Sequence, residues 1–332
     1  MRRPALLAVA ALAAALLAGG CGSSGNKKSA RPPGSHIVVI MLENKAYTEV
    51  IGRPEAPYIN ALARRAAVPD AMYGTAHPSL PNYIALIGGD TRGVTANCTG
   101  CRVGGQNLVD QFERAGISWK AYMQGMPRRC YHGAYAGRYP PDHGGLVDPS
   151  APSQPDGDVR GLGRRYAKKH NPFMYFDDIS RNPSRCSHVV QYKELRADLK
   201  ANRLPTFAFI SPDLCNDMQD CVVRAGDMFL SHLVPKLLPQ VGPQGFLVIT
   251  FDEGRTNAGC CGGQASGGRI PTLVLGPTVL SGAAGTAPYT HYSILRTIEG
   301  ALELPRLGHA GDPQTHPLDL LFSTPPRIPR AG

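Results

Sequence analysis

Two stretches of the sequence run from an apolar segment directly into acidic or amide side chains. They are Phe-Leu-Val-Ile-Thr-Phe-Asp-Glu at residues 246–253 and Ile-Val-Val-Ile-Met-Leu-Glu-Asn at residues 37–44. Continuous apolar runs of this length are typical of strands that are buried on both faces of a parallel sheet. Ligands of such sheets bind just beyond the carboxyl ends of the strands. We therefore expect four side chains to converge at one edge of the sheet: Glu43, Asn44, Asp252 and Glu253.

The same side chains predict a metal site. Buried carboxylates repel each other and lose hydration, so a bound cation or a neighbouring basic group has to compensate their charge. In either stretch alone, an aspartate that caps the next helix or loop, followed by a glutamate in solvent, explains the pattern equally well. Because the pattern occurs twice, we favour a cation bound by Glu43, Asn44, Asp252 and Glu253.

Further apolar runs and helical patterns predict the fold. Strands are expected at residues 37–42, 206–210, 246–251 and 271–275. Helices are expected at residues 57–67, 107–115, 228–238 and 292–302. Helical segments between strands supply the crossovers of a parallel sheet. The sequence thus predicts an α/β domain over residues 35–320, with a mostly parallel central sheet flanked by helices on both faces, followed by a Pro-rich tail at 321–332.

The first residues are similar to a bacterial lipoprotein signal. Residues 1–20 begin with Arg2 and Arg3, continue as an Ala/Leu run and end in small residues, so that Cys21 takes the position of the lipid-accepting cysteine. A transmembrane helix is the alternative, although the run is short for a span. Residues 21–34 then form a flexible tether. The sequence predicts an extracytoplasmic protein anchored in the cell membrane by its lipid.

Export also predicts disulfides. The chain has nine cysteines, and eight remain when the lipidated one is set aside. An even number in an exported chain favours disulfides, but the sequence does not determine their pairing. Cys98 and Cys101 have the spacing of a redox or zinc motif. Because this pair stands alone among Asn, Thr and Gly, we expect a small disulfide that closes a loop.

The charge of the chain favours anionic partners. The net charge is +10, and cleavage of the signal with its two arginines leaves +8. The basic residues are scattered, without a basic helix or an aromatic stacking motif, so we expect no nucleic-acid partner. A phosphorylated substrate or an anionic envelope surface fits this charge.

A serine between two prolines is the candidate nucleophile. Ser79 lies in His-Pro-Ser-Leu-Pro-Asn-Tyr, residues 77–83, just before a helical run at 83–87. A helix N-terminus stabilises anions, and its backbone N–H groups can bind phosphoryl oxygens. A hydroxyl held there beside a metal loses its proton more readily and becomes a nucleophile. The alternative is a serine that only caps the helix.

Six motifs, in their order along the chain, resemble one known family. They are Met-Leu-Glu-Asn at 41–44, the seven residues at 77–83, His-Asn-Pro-Phe at 170–173, Ser-Pro-Asp-Leu-Cys-Asn-Asp at 211–217, Thr-Phe-Asp-Glu-Gly at 250–254 and His-Tyr-Ser-Ile-Leu at 291–295. Together they resemble the phosphoesterase family of bacterial acid phosphatases and phospholipases C, within the alkaline phosphatase superfamily. The resemblance spans most of the predicted domain and implies an alkaline-phosphatase-like fold.

The resemblance also implies roles for individual residues. Ser79 would form a covalent phosphoseryl intermediate beside the metal. His170 and His291 would lie near the phosphate, where they steady its charge or protonate the leaving oxygen; for each of them a hydrogen-bonded structural histidine is the alternative. Substrate binding is expected of three side chains: Asn44, Asn82 and Asp217. The family often has a histidine where this chain has Gln219, which leaves a ligand role of that position open.

The predicted activity is metal-dependent hydrolysis of phosphate esters through a phosphoserine intermediate. The favoured form of this activity is that of an acid-phosphatase-like phosphomonoesterase. The oxygen-rich ligands suit calcium, magnesium or manganese, while related superfamily members use zinc. One alternative is a phospholipase C that cleaves phosphodiesters of membrane lipids; residues 124–165, rich in Gly, Pro and Tyr, would form a lid or an apolar rim for it. Another is a non-catalytic surface-binding lipoprotein, against which the intact candidate residues argue. The expected partners are a phosphate-ester small molecule or phospholipid and the membrane.

Overall fold

The computed structural model describes Met1 and residues 34–139 and 163–329. The predicted signal peptide, nearly all of the tether and most of the predicted lid at residues 124–165 lie outside the described residues, as do the last three residues of the chain.

The described strands and helices alternate along much of the chain. The strands are β1 (Ile37–Leu42), β2 (Met72–Tyr73), β3 (Trp119–Met123), β4 (Tyr135–Ala136), β5 (Tyr166–Ala167), β6 (Val189–Gln191), β7 (Phe207–Ser211), β8 (Phe246–Phe251), β9 (Thr272–Leu275) and β10 (Tyr289–Thr290). The helices are α1 (Tyr47–Val50), α2 (Pro57–Ala63), α3 (Ser79–Gly88), α4 (Leu108–Arg114), α5 (Asp177–Ser180), α6 (Pro183–Cys186), α7 (Lys193–Lys200), α8 (Val223–Leu237) and α9 (His291–Ala301).

Six of these strands form the central sheet, in the order β6-β3-β7-β1-β8-β9. All neighbours are parallel except β9, which runs antiparallel to β8. Every residue of β1, β7 and β8 is buried, so both faces of the sheet centre are covered. Among the helices, α2 contacts α8 and α3 contacts α9. The predicted α/β fold with a mostly parallel sheet is confirmed.

The predicted elements are present, with shifts at their ends, while two strands of the central sheet and several short elements were not predicted. Each of the four predicted strands matches a strand to within one residue. The sequence analysis missed β3 and β6, which are short and contain the polar residues Lys120 and Gln191. Helix α3 begins at Ser79 itself rather than at Tyr83. The loop between β8 and β9 contains no α-helix that would cross over the sheet. The chain therefore enters β9 from the edge at which β8 ends, and the two strands are antiparallel.

Four disulfides and a packed C-terminal segment complete the domain. The disulfides join Cys98 to Cys101, Cys130 to Cys186, Cys215 to Cys221 and Cys260 to Cys261, so the predicted disulfide at the first pair is confirmed. In the C-terminal segment, the Phe322 ring packs edge-on against Phe246, and Ile328 is buried. None of the described helices combines the length and the apolar character that crossing a membrane requires.

Candidate active site

The carboxyl ends of β1, β7 and β8 are neighbours, and each strand carries polar side chains to the same edge of the sheet. Glu43 and Asn44 follow β1, while Asp252 and Glu253 follow β8. The Asp252 N–H donates to the Leu42 carbonyl at 3.0 Å, and the Asn44 N–H donates to Asp252 Oδ1 at 2.8 Å. These bonds join the two strand ends, and all four polar residues are buried. The structure thus brings together the side chains that the two opening stretches predicted to converge.

The Ser79 hydroxyl lies among these side chains. Its Oγ donates to Glu43 Oε2 at 3.0 Å, and a longer contact of 3.5 Å leads to Glu253 Oε1. The amide nitrogen of Asn44 lies 3.5 Å from the same Oγ. Ser79 is the first residue of α3 and is itself buried. The hydroxyl therefore contacts the polar side chains that follow both β1 and β8.

The turn before α3 is held by Asn82 rather than by a capping serine. The Asn82 Oδ1 accepts from the Ala76 N–H at 3.0 Å, and its Nδ2 donates to the Ala76 carbonyl at 2.8 Å. Both ends of the amide are thus used on the backbone of the turn. The substrate-binding role predicted for Asn82 stays a prediction, while its contacts in the structure fix the turn that carries Ser79.

The first turn of α3 offers fewer free N–H groups than the sequence analysis expected. Pro81 has no backbone N–H, and the Leu80 N–H donates to Asn97 Oδ1 at 2.9 Å. Phosphoryl oxygens would therefore need donors from side chains as well.

The segment that precedes α3 passes close to the end of β8, because a Cβ at Gly74 would lie 2.7 Å from the Asp252 carbonyl oxygen. Only glycine fits there.

His170 lies between two carboxylates. Its Nε2 is 3.2 Å from Glu43 Oε2, and its Nδ1 is 3.1 Å from Asp217 Oδ2. The ring is stacked on Tyr83, with centroids 5.4 Å apart. Asp217 in turn accepts the Gln219 N–H at Oδ1, 2.8 Å away. The structure therefore brings His170 to the acidic cluster and gives Asp217 a contact that orients it.

His291 has different surroundings. Its Nε2 is 2.9 Å from the Phe251 carbonyl, and its Nδ1 is 3.1 Å from Thr75 Oγ1. Burial lowers the pKa of His291 to about 4, so the ring is neutral at physiological pH. These two contacts attach the end of β8 to the segment that leads into the Ser79 turn. The role predicted for His291 at the phosphate stays a prediction.

Three residues at this site were not assigned from the sequence. The His77 ring contacts Glu253 Oε2 through Nδ1 and the Thr256 carbonyl through Nε2, and the bond to Glu253 raises the pKa of His77. The Tyr83 hydroxyl donates to Glu43 Oε1. Lys169 is buried, and its charge partly opposes the rise that burial causes in the pKa of Glu43 and of Glu253. His77 and Tyr83 lie in the Ser79 motif, but a motif does not reveal the direction of a side chain.

The charged forms of the buried acidic residues are strongly disfavoured. Burial raises the pKa of Glu43, Asp217 and Glu253 to about 7, and it raises the pKa of Asp252 well above its ordinary value. Glu43 adds to the rise at Asp252 through charge repulsion. In the absence of further positive charge, the cluster would hold protons near neutral pH.

These residues fit a hard divalent cation. Asp252 Oδ2 is buried and finds no hydrogen-bond partner among the described residues. A buried carboxylate oxygen without a donor is costly, and a cation would remove that cost. The donor set consists of carboxylate and amide oxygens, which suit calcium, magnesium or manganese. The chemistry of Glu43, Asn44, Asp252 and Glu253 therefore agrees with the metal site that the sequence predicts.

A second group of metal-binding residue types lies elsewhere. Cys130, His132 and Cys186 each offer one ligand atom, and these three atoms lie within 4.8 Å of one another. In residues 34–139 and 163–329, no other group of three His, Cys, Asp or Glu residues is as close. Cys130 and Cys186 form a disulfide, which removes the thiolates that a metal would bind. The ligand atoms of Glu43, Asp252 and Glu253 do not all come within that distance of one another.

Comparison with solved structures defines the class of fold. A protein of the alkaline phosphatase superfamily from Vibrio parahaemolyticus matches with a TM-score of 0.51 and 12% identity, over 85% of this chain and 71% of that chain. A structure described with glycosaminoglycan metabolism in Bacteroides thetaiotaomicron matches with a TM-score of 0.53 and 15% identity, over 90% of this chain and 78% of that chain. At such identities the likeness concerns the fold alone, which this chain shares with these two proteins.

Comparison of sequences identifies the family. Residues 53–305 match the model of the Phosphoesterase family, and the chain belongs to this family. A phosphatidylinositol-3-phosphatase of Mycobacterium tuberculosis is 30% identical over 286 residues, which are 85% of this chain and 81% of the relative. A probable acid phosphatase of Kluyveromyces lactis is 28% identical over 82% of this chain, and a phosphate-repressible acid phosphatase of Penicillium chrysogenum is 30% identical over 75% of it. The chain spans 60% and 55% of the length of these two fungal relatives. The chain is accordingly a phosphoric ester hydrolase.

Proposed function

We propose that this hydrolase cleaves phosphomonoesters with the help of a divalent cation and that Ser79 is its nucleophile. The observation that carries the proposal is the position of the Ser79 hydroxyl, 3.0 Å from Glu43 Oε2 and 3.5 Å from the Asn44 amide nitrogen. A buried serine that donates to a carboxylate has a proton acceptor in place, and this arrangement activates a nucleophile.

The chain's own residues can carry out both halves of the reaction. The Ser79 Oγ attacks phosphorus, its proton passes to Glu43 Oε2, and the bond to the ester oxygen breaks. His170, 3.2 Å from the same Oε2, supplies a proton to the departing oxygen. Water then attacks the phosphoserine and gives a proton to His170, the bond between phosphorus and Oγ breaks, Glu43 returns its proton to Oγ, and inorganic phosphate leaves. Two in-line displacements give overall retention of configuration at phosphorus.

The cation would be held by Glu43, Asn44, Asp252 and Glu253. When bound, it would supply positive charge that favours the deprotonated serine and offsets the charge of the phosphoryl group. The Asn44 side chain has a further role, because its Nδ2 faces Ser79. We assign this N–H group to a non-bridging oxygen of the substrate.

The relatives support a monoester as substrate. The mycobacterial relative is named for a phosphatase acting on a phosphoinositide, and the fungal relatives are named acid phosphatases. A phosphorylated lipid headgroup or a small phosphate ester both agree with this chemistry and with the positive net charge. We further propose that the chain acts outside the cytoplasm, anchored through a lipid on Cys21, a proposal that rests on the sequence of residues 1–21.

A comparison of two chromogenic substrates tests the proposal. The full-length chain is assayed with an aryl phosphomonoester and the matched phosphodiester, with added magnesium, manganese, calcium or zinc, and after treatment with a chelator. We expect monoester turnover that the chelator removes and that Ser79→Ala abolishes, while Ser231→Ala at a half-buried position of α8 leaves it unchanged. Preference for the diester would favour the phospholipase C alternative. Lack of turnover of either ester with every metal would refute the proposal.

A further inference from the structure

Gln219 is a buried amide whose side chain is oriented by its neighbours at the Ser79 site. It follows β7 and is 1% exposed. Its backbone N–H donates to Asp217 Oδ1 at 2.8 Å, and its Oε1 accepts from Asn44 Nδ2 at 3.1 Å. Gln219 is thus bonded to one residue that orients His170 and to another that faces Ser79.

The contact with Asn44 determines which end of the Gln219 amide points where. The Asn44 Nδ2 is a donor, and it lies close to oxygen atoms of Glu43 and Ser79 as well. The atom of Gln219 that meets it must therefore be an acceptor, which is Oε1. The Nε2 group, with its two hydrogens, is then left for a partner other than the Asn44 amide nitrogen.

This Nε2 group is buried and finds no hydrogen-bond acceptor in the part of the chain that the structure describes. A buried N–H group without an acceptor destabilises a fold, and such groups are rare. An unpaired donor at a functional site is accounted for when a ligand supplies the acceptor. Here the ligand has to reach a site bordered by Asn44, whose amide nitrogen is 3.5 Å from Ser79 Oγ.

We propose that Gln219 Nε2 donates a hydrogen bond to a non-bridging oxygen of the substrate phosphoryl group, while Oε1 holds Asn44 with its Nδ2 towards the same group. The inference rests on the proposed function of Ser79. An anionic phosphoryl oxygen is a strong acceptor, and hydrogen bonds to charged groups are stronger than those between neutral groups. Gln219 then belongs to the substrate-binding residues of this chain, at a position where the family often has histidine.

Binding of inorganic phosphate tests the inference without relying on turnover. The full-length chain, supplied with the divalent cation that supports the highest activity, is titrated with phosphate by calorimetry, and KM and kcat are measured for the aryl phosphomonoester. Gln219→Met keeps a straight side chain of similar size and removes both polar ends. We expect its phosphate affinity and its kcat/KM to fall about ten- to hundredfold. Gln219→Leu also removes both polar ends and gives the same comparison if the Met variant does not fold.

Two further variants separate a polar contact from a change of packing. Gln219→His restores an N–H donor, and we expect it to keep phosphate affinity within about fivefold of wild type. Gln191→Met makes the same change at a half-buried glutamine that donates to the Pro127 carbonyl at 2.7 Å, and it should leave phosphate affinity unchanged. Equal losses in Gln219→Met and Gln219→His would overturn the inference.

A double-mutant cycle with Asn44→Ala separates a direct contact from an effect through Asn44. In the Asn44→Ala background, Gln219→Met should weaken phosphate binding further. Lack of further loss would mean that Gln219 acts only by holding Asn44, and it would overturn the direct contact. A wild-type chain that hydrolyses the monoester while Gln219→Met binds phosphate normally would remove the inference alone. A wild-type chain that neither hydrolyses the ester nor binds phosphate would remove the proposed function, and the inference with it.

Discussion

The Oγ of Ser79 lies 3.0 Å from Oε2 of Glu43, although 36 positions separate the two residues in the chain. The same carboxylate accepts from the Tyr83 hydroxyl and lies 3.2 Å from His170 Nε2. Glu43 follows β1, whereas Ser79 and Tyr83 lie in α3. One buried carboxylate thus connects the end of the central strand with the proposed nucleophile and with the proposed proton donor.

Glu43→Gln should lower activity and raise stability at the same time. The variant keeps the shape of the side chain but removes a proton acceptor, so we expect kcat to fall about a hundredfold or more. Burial raises the pKa of Glu43, which means that the charged form is unfavourable in the folded protein. Removal of the charge should therefore increase the free energy of unfolding of the metal-free protein, measured by urea denaturation.

Glu55→Gln is the matched control, because Glu55 is exposed and pairs only loosely with Arg53. It should change neither kcat nor stability measurably. A Glu43→Gln variant that keeps more than about a tenth of wild-type kcat would contradict proton transfer to this carboxylate.

Without metal, the protein should lose stability as the pH rises from about 4 to about 7. The pKa of Glu43, Asp217 and Glu253 is about 7 in the folded protein, so these residues keep protons that the unfolded chain has already released. The folded state then binds more protons than the unfolded state, and stability falls with rising pH. The raised pKa of His77 acts in the same direction, since its stabilising charge is lost as the pH passes that pKa.

A thermal melt in chelator at a series of pH values measures this effect. We expect Tm to fall by about 5 °C or more over the window and to recover at pH 7.5 when the activating cation is added. Asp252→Asn should respond less to the cation, because it removes one of the proposed ligands. A Tm that stays level across this pH range, or that ignores added cation, would contradict the metal site.

His170 and His291 should differ in their effect on kcat when each is replaced by glutamine. His170 contacts the buried carboxylates of Glu43 and Asp217, so His170→Gln should lower the kcat of the folded protein about a hundredfold, and it should lower Tm as well because both carboxylates lose a partner. His291 is neutral and bonds the Phe251 carbonyl, so His291→Gln should lower Tm and leave most of the kcat of the folded fraction. Steady-state kinetics and thermal melts of both variants decide the matter. A large loss of kcat in His291→Gln without a change in Tm would instead support the role at the phosphate that the family resemblance implies.

The strand ends were predictable from the sequence because their pattern is local. An apolar run followed by acidic residues, as in β1 and β8, predicts both the strand and the side chains at its end. The fold follows from the helical segments between such runs. Strand β3 was missed because Lys120 and the short length break the apolar pattern, although the strand lies next to β7 in the sheet.

The contacts that join the site were not predictable in the same way. A motif states that His77, Tyr83 and Asn82 are present, but only the folded chain shows that Tyr83 turns to Glu43 and that Asn82 turns to its own backbone. Lys169 is buried as well, although it is far along the chain from the ends of both β1 and β8. Pairing of the eight cysteines likewise needs the distances that the fold creates, with the close pair at Cys98 and Cys101 as the exception.

The disulfides should differ in their contribution to stability according to the length of chain that they close. Cys130 and Cys186 are 56 positions apart, whereas Cys98 and Cys101 are three apart. A longer closed loop removes more entropy from the unfolded chain, which gives about 4 kcal/mol for the first pair and about 2 kcal/mol for the second. Urea denaturation of the double alanine variants, Cys130→Ala with Cys186→Ala and Cys98→Ala with Cys101→Ala, measures both values. A loss at the short pair equal to or larger than that at the long pair would show that packing around the sulfurs, and not loop closure, determines the effect.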